Sequence, residues 1–422
     1  MSEAKEFLKK YQMTSSDIDI SEALKAFKLE IDKGLKKDGP ISECSIPMIP
    51  TYLNPNVSPI ENEKVIVVDA GGTNLRIGIG VYHNSDWEIT DITEDKMPGI
   101  TREYSKEEFF DYIASRMVPY LDKATNIGFC FSYRVQMDKS LDGKLIAWAK
   151  EIKAKEVVGE YVGASLLNAI KKYSSTKREI VVLNDTASVL LGGITLDNKK
   201  EFNKYIGVIY GTGFNCCYIE DVKNIIKLKD DISGSMIINT ETGNFNGFNR
   251  GVFDTVLTNE SLMKDEALTE KMSSGRYLSS LIYQATEKAI EDGLLKETKL
   301  IDKKDFNLPL VSMYLANVDN TLDKCFGNER EKEIFKDICL ELINRASKIV
   351  ATTISAFAIK SNEKKIGIIV EGSTFYKLFS FKESFENYLK EILNYYDIDY
   401  KLFNGLGRVL VGAAVASKCK TL

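Results

Sequence analysis

Histidine is almost missing from this chain: there is one, His83, in 422 residues. A Ser-His-Asp or Cys-His nucleophile, or a metal site of several imidazoles, therefore has nothing to be built on except His83. Proton transfer then falls to a carboxylate or a lysine. His83 itself, beside Asn84 and Ser85 at a strand end, reads as a solvent-facing turn residue. Cysteine is sparse, with 7 residues scattered from Cys44 to Cys419. None is in CxxC spacing and Cys216 and Cys217 are adjacent, which fits free thiols in a reducing compartment better than a disulfide framework. An excess of positive charge is also lacking: 56 Lys and Arg stand against 61 Asp and Glu, a net charge of −5. No nucleic-acid partner and no polybasic membrane surface are expected. Long hydrophobic runs are absent too. The longest, Ile349 to Ile359, is interrupted by Thr and Ser and is too short to span a bilayer. The opening MSEAKEFLKK has no apolar signal-peptide core, so the cytoplasm is the expected location and no membrane partner is expected.

What is present is an ordinary soluble composition, 44% apolar and 28% charged, in a chain long enough for two cores. The most informative stretch runs from Val65 to Tyr82. It reads as a strand ending at Asp69, a turn Ala70-Gly71-Gly72-Thr73-Asn74, and a returning strand from Leu75. The two glycines lack a Cβ, so their N–H groups are free to approach an anion, and Asp69 stands where a carboxylate could hold a hydrated Mg²⁺ on polyphosphate oxygens. The same device recurs where strand Tyr205–Tyr210 runs into Gly211-Thr212-Gly213 and returns from Cys216 to Glu220. Two such hairpins facing each other would clamp a phosphate tail. Around them the pattern predicts helices over Ser21–Leu35, Lys106–Asp122, Val162–Tyr173 and Val411–Ser417, and strands over Ile127–Phe131, Glu179–Leu183 and Lys365–Val370. Helices dominate from Phe253 to Lys360. This is an α/β alternation with no tandem repeat or flexible linker.

Further segments complete a constellation: GFCFSYRVQ at 128–136, AWAKEIKA at 147–154, LNDTASVLLGG at 183–193, YGTGFNCCYIE at 210–220, INTETGNF at 238–245, EGSTFYK at 371–377 and GLGR at 405–408. With DAGGTNLR at 69–76 and MIPTY at 48–52, these resemble, in order and over nearly the whole chain, the hexokinase family of ATP-dependent hexose kinases. DxGGT alone is common to many sugar kinases; the ordered co-occurrence is specific.

The resemblance implies an α/β, two-domain actin-like (ribonuclease H-like) ATPase fold with an interdomain active-site cleft. Residues 62–186 would form a small domain, 1–61 with 187–408 a large one, and 409–422 a C-terminal helix packed on the small domain. It implies transfer of the γ-phosphoryl of Mg-ATP to the 6-hydroxyl of a hexose, glucose by expectation, as the first step of glycolysis. A sugar hydroxyl is too weak an acid to ionise at neutral pH, so a carboxylate must accept its proton as the new bond forms. By resemblance that carboxylate is Asp185, with Lys150 offsetting charge on the transferring group. Asp185 in Asn184-Asp185-Thr186 also has the composition of a helix N-cap, and both roles are compatible. The implied sugar ligands are Ser132, Lys150, Asn184, Asp185, Asn215, Glu241 and Glu270. For ATP, Asp69 is the implied Mg²⁺ carboxylate, acting through water. Gly71, Gly72, Thr73, Asn74 and Arg76 form one implied phosphate loop, Gly211, Thr212 and Gly213 the other, and Gly372 with Ser373 the adenosine-side turn.

Three positions depart from the family pattern. Ala149 replaces the threonine before the lysine, Arg134 stands where proline is usual, and Thr242 replaces a tryptophan after Asn-Thr-Glu. The first removes a sugar ligand, and Arg134 adds a cation that could favour an anionic or substituted sugar. A catalytically weak hexokinase-like sugar sensor is the alternative reading. An actin- or chaperone-like ATPase would leave the sugar motifs without purpose, and a repressor-type sugar kinase would often carry a clustered Cys/His zinc site. Monomer and homodimer are both compatible with the length.

Overall fold

The computed structural model describes residues 2–148, 152–229 and 231–419. Two mixed sheets of the same design organise it. The first contains β1 (Lys64–Ala70), β2 (Asn74–His83), β3 (Asp86–Lys96), β4 (Asn126–Phe131) and β5 (Glu179–Leu183), in the order β3-β2-β1-β4-β5. The second contains β6 (Lys204–Tyr210), β7 (Phe214–Asp221), β8 (Ser235–Asn239), β9 (Lys365–Glu371) and β10 (Asp399–Asn404), ordered β8-β7-β6-β9-β10. In each, three antiparallel strands are followed by two parallel ones. The short strand Ile49–Pro50 extends the second sheet at its β8 edge. The repeated Gly-rich hairpin seen in the sequence is thus the β1–β2 and β6–β7 corner of a duplicated architecture.

Strand periodicity sorts the side chains into three cores. Ile66 and Val68 pack outward beneath helices Lys106–Met117 and Val162–Ile170 through Phe109, Ile113, Val162 and Leu166. Ile206, Val208 and Tyr210 face a helical layer that includes Ile20–Lys36, Gly275–Glu291 and the long Glu329–Lys360. Val65, Val67, Tyr205 and Ile369 point to a third cluster between the sheets. The period of two explains the adjacent cysteines: Cys216 joins one core and Cys217 another, on opposite faces of β7. All 7 cysteines are free and buried.

Two helices fill the space between the sheets, Asp185–Ile194 and Arg408–Ala416. They cross backbone to backbone. A Cβ on Gly412 would stand 1.7 Å from the Ser188 carbonyl oxygen, and one on Gly192 2.3 Å from that of Arg408. The Ser188 hydroxyl donates to Val409 O at 2.6 Å, tying the pair further. The C-terminal helix also packs on β1 and β4.

Several element limits differ from those expected. The helix after Ser105 stops at Met117 and tightens into a 3₁₀ turn at Val118–Tyr120, where Pro119 removes an N–H. Helix 162–170 is shorter than expected, and the closing helix starts at Arg408. β1 extends through Ala70, and β2 runs from Asn74 to His83, which places His83 in the last strand position, exposed and paired with Glu61 at 2.8 Å. Strands β3, β8 and β10, and the hairpin Arg134–Met137/Gly143–Ala147, carry no strong alternation and were not expected.

The helix crossing gives a direct prediction. Gly412→Ala should destabilise the protein by about 3 kcal/mol, because the clash is with rigid backbone on both sides. A denaturant midpoint unchanged from wild type would show that the helices do not need this contact.

Candidate active site

The N-terminus of helix Asp185–Ile194 lies where both sheets converge. Asn184 caps it, its side chain accepting from Thr186 N at 2.8 Å. Thr186 also turns toward Asp185: its N–H and hydroxyl reach Asp185 Oδ1 at 2.8 and 3.3 Å. With the cap supplied by Asn184, Asp185 Oδ2 carries no hydrogen bond from any described residue. Capping thus falls to Asn184 and does not occupy both oxygens of Asp185.

From Thr186 a chain of amides leads across the second sheet. Asn215 Nδ2 donates to Thr186 Oγ1 at 3.1 Å and to Asn239 Oδ1 at 2.8 Å, and Asn239 Nδ2 donates to Glu241 Oε1 at 2.8 Å. Asn215 Oδ1 accepts from Cys216 N at 2.8 Å, fixing the amide's orientation. Glu270, on helix Leu268–Ser273, joins from the other side, its Oε2 accepting from Phe214 N at 3.0 Å. Glu241 holds a left-handed backbone, φ 55 and ψ 40. For a non-glycine residue this costs on the order of 1 kcal/mol, tolerated where the position is functional. Burial raises the Glu241 carboxyl above its ordinary range, the Asn239 amide opposes this, Asp185 adds to it and Arg134 again opposes. Asn239 was not singled out from the sequence, although it lies inside the INTETGNF segment. It bridges Asn215 and Glu241, and its signal was its in-register position beside β7 on β8, which sequence spacing alone does not show.

On the first sheet, Asp69 is buried at the end of β1. Arg76 forks onto its Oδ2 at 3.1 and 2.5 Å. Burial lifts the Asp69 carboxyl above its ordinary range, Arg76 counteracts this, and Asp185 raises it further, so the two carboxylates share one electrostatic environment. Ser132 follows β4, its N–H on Ala70 O at 3.1 Å. In the β1–β2 turn, Gly71 N–H donates to Asn74 O at 3.0 Å, and Arg76 engages Asp69 through Nε and Nη2. Asn74 is likewise bonded, to Glu94 at 2.9 Å. Gly72 and Thr73 sit at the turn's tip, half-buried and exposed. Tyr133 fastens the turn from below through its hydroxyl to Gly71 O at 2.6 Å.

In the second hairpin Gly211 N–H is similarly spent on Gly213 O at 2.9 Å, while Gly211 O and Thr212 O accept from Gly275 N and Arg276 N. Gly372 abuts this turn. Its φ is +130°, and a Cβ there would lie 2.1 Å from Tyr210 O, so only glycine can occupy the corner before Ser373. Lys150, with Ala149, lies outside the described residues. On either side of it in sequence, Trp148 Nε1 donates to Ala154 O at 2.8 Å.

Asp69, Asp185 and Glu241 therefore face one region from both sheets, with an amide relay between them. Among the described residues no cluster of three or more His, Cys, Asp or Glu could hold a metal by itself. One or two carboxylates suit Mg²⁺ delivered on polyphosphate, which keeps most of its shell as water and phosphate oxygen.

A duplicated β3-β2-β1-β4-β5 sheet, with a glycine hairpin in each copy and carboxylates between them, defines the actin-like ATPase fold. Two family models, both described as hexokinase, match residues 3–194 and 205–419, and the chain belongs to the hexokinase family. It is 27% identical to Hexokinase-7 of the rice Oryza sativa subsp. japonica, over 91% of each chain. It is 29% identical to Hexokinase-1 of Schizosaccharomyces pombe, over 92% of this chain and 86% of the relative. In fold it is similar to the hexokinase from Schistosoma mansoni complexed with glucose, with a TM-score of 0.79 at 22% identity, covering 99% of this chain and 100% of that one.

Glu371, at the end of β9 beside Gly372, is a further buried acid that the sequence motif did not mark as ionisable machinery. Its Oε2 is buried without a hydrogen-bond partner among the described residues. Burial lifts its pKa from 4.5 to about 7; the N–H groups of Gly407 and Gly372 and the Arg76 cation oppose this, and Asp69 adds to it. Because the folded value lies above the unfolded one, the stabilisation is complete below about pH 4.5 and is lost as pH rises through about 7. Relative to Glu371→Gln, the wild type should lose roughly 2 kcal/mol between pH 5 and 8, after allowance for solvent screening. Thermal melts of both proteins across that range check it; a constant gap would contradict the assignment.

Proposed function

We propose that this protein transfers the γ-phosphoryl group of Mg-ATP to the 6-hydroxyl of a hexose, glucose foremost, as the first step of glycolysis. Membership of the hexokinase family supports the activity. The observation that carries the mechanism is Asp185, whose Oδ1 is immobilised by Thr186 while Oδ2 has no partner among the described residues.

The sugar would lie against Ser132, Asn184, Asn215, Glu241 and Glu270. A buried sugar hydroxyl must be paired on both its donor and acceptor sides, and alternating amides and carboxylates supply both. As the sugar's O6 attacks the γ-phosphorus, the O6–P bond forms and the bond to the β-phosphate bridging oxygen breaks. The O6 proton passes to Asp185, and ADP departs with its Mg²⁺. Asp69 would hold the Mg²⁺ of Mg-ATP through water, with Arg76 keeping that carboxylate ionised despite its burial. The tips of the two hairpins, Gly72-Thr73 and Thr212-Gly213, would steady the phosphates, with Gly372 and Ser373 at the adenosine end. Lys150 would neutralise charge on the transferring group. On this reading, residues 62–186 form the small domain, 1–61 with 187–408 the large one, and 409–422 the C-terminal helix; closure onto the sugar limits ATP hydrolysis. The seven free, buried thiols support a reducing compartment, the cytoplasm.

The test is sugar-dependent ADP formation across glucose, fructose, mannose, galactose and glucosamine. Turnover on at least one sugar, reduced by about 10²- to 10⁴-fold in Asp185→Ala, is expected. Turnover equal in the variant would sink the assignment of Asp185, and none with any sugar would sink the activity for this panel.

The amide relay has its own consequence. Asn239→Ala should raise the KM for the sugar by about ten-fold, since both Asn215 and Glu241 lose a fixed partner. Steady-state kinetics in the sugar would show it, and an unchanged KM would mean the relay does not orient the ligands.

A further inference from the structure

A cavity of about 550 Å³, lined in part by Ile49, Pro50 and Arg134, takes no part in the proposed phosphoryl-transfer chemistry. Besides the hairpin bearing Arg134, its lining includes Lys37, Asp38, Lys227 and Lys229. Four cations therefore line it against a single carboxylate. Two of them are already neutralised. Lys227, its side chain nearly buried, binds Asp38 at 2.8 Å and Pro47 O at 2.8 Å, and Lys37 pairs with Glu43 at 3.0 Å. Arg134 and Lys229 have no hydrogen-bond or ion-pair partner among the described residues, and they come from separate segments, the hairpin and the stretch after Ile225.

The cavity neighbours the proposed sugar site on two counts: Arg134, which lines it, is near enough for its charge to act on Glu241, and Ile49 and Pro50, which also line it, pair with Asn239 and Ile238 of β8. A cleft lined by one sign of charge focuses its field and concentrates the opposite ion. An arginine can grip a phosphate or carboxylate through two parallel N–H donors, and a lysine can add a point charge from the other side.

We propose that this cavity is an anion subsite neighbouring the sugar site, in which Arg134 and Lys229 hold one phosphate or carboxylate group between them. That group is either a substituent carried by the sugar or a separate small anion. The inference rests on the hexose-kinase reading only for where the sugar lies, and its test reads binding, not turnover, so either reading can fail alone.

The experiment is isothermal titration of the full chain with α-glucose 1-phosphate, whose 6-hydroxyl is free, and separately with inorganic phosphate. Wild type, Arg134→Gln and Lys229→Gln are compared, with glucose as the uncharged reference. At least one probe should bind the wild type and weaken about ten-fold in Arg134→Gln and about five-fold in Lys229→Gln. Glucose affinity should stay unchanged in Lys229→Gln. Loss confined to glucose 1-phosphate identifies a sugar-borne anion; loss of inorganic phosphate binding identifies a free one. Binding of both probes that is absent, or indifferent to both substitutions, overturns the proposal. So does a fall in glucose affinity in Lys229→Gln matching that of the anion, since that is the mark of a structural lysine.

Discussion

The arrangement turns on the close crossing of helices Asp185–Ile194 and Arg408–Ala416 between the two sheets. Gly412 and Gly192 let the two backbones meet where any side chain would collide with a carbonyl. That contact fixes the height of the first helix against β4 and β6, and hence the place where its N-terminus emerges. Asn184 takes the cap, and Asp185 is held by one oxygen, its other having no partner among the described residues. A packing constraint deep in the core between the sheets thus sets the position of Asp185, the proposed base, at its edge.

The second theme is the management of negative charge. Asp69, Asp185, Glu241 and Glu371 converge on one cleft, and burial pushes Asp69, Glu241 and Glu371 toward their neutral forms. Two arginines counter this locally, Arg76 on Asp69 and Arg134 toward Glu241. In the proposed reaction the site would accept a proton from a sugar and bind a magnesium polyphosphate, which needs acids close together yet ionised, and partial pairing with cations serves that. The strained backbone of Glu241 and the unpartnered Glu371 oxygen are local costs of this arrangement.

Much of this was legible in the sequence where local chemistry is strong. The run Val65 to Val68, the paired glycine hairpins and the Asn184-Asp185-Thr186 corner each declare their local structure through β-branching, missing side chains or capping. What sequence did not disclose depends on register and packing. Asn239 matters because β8 lies in register with β7, which places it between Asn215 and Glu241. Turn closure by Gly71 N–H on Asn74 O, and the pairing of β1 with β2 that sets Arg76 directly opposite Asp69, are likewise tertiary facts that spacing does not show. Strand β3 was missed because its polar, largely exposed face carries no alternating apolar signal.

The central claim is that Asp185 accepts the proton of the sugar 6-hydroxyl from a position set by the helix crossing. Asp185→Asn keeps shape and hydrogen bonding while removing the base, so glucose affinity and the single-turnover rate of phosphoryl transfer should be measured on the same preparation. The account predicts glucose affinity within about five-fold of wild type and transfer slowed by at least about 10²-fold. Transfer at the wild-type rate, or a loss of glucose affinity as large as the loss of rate, would contradict it.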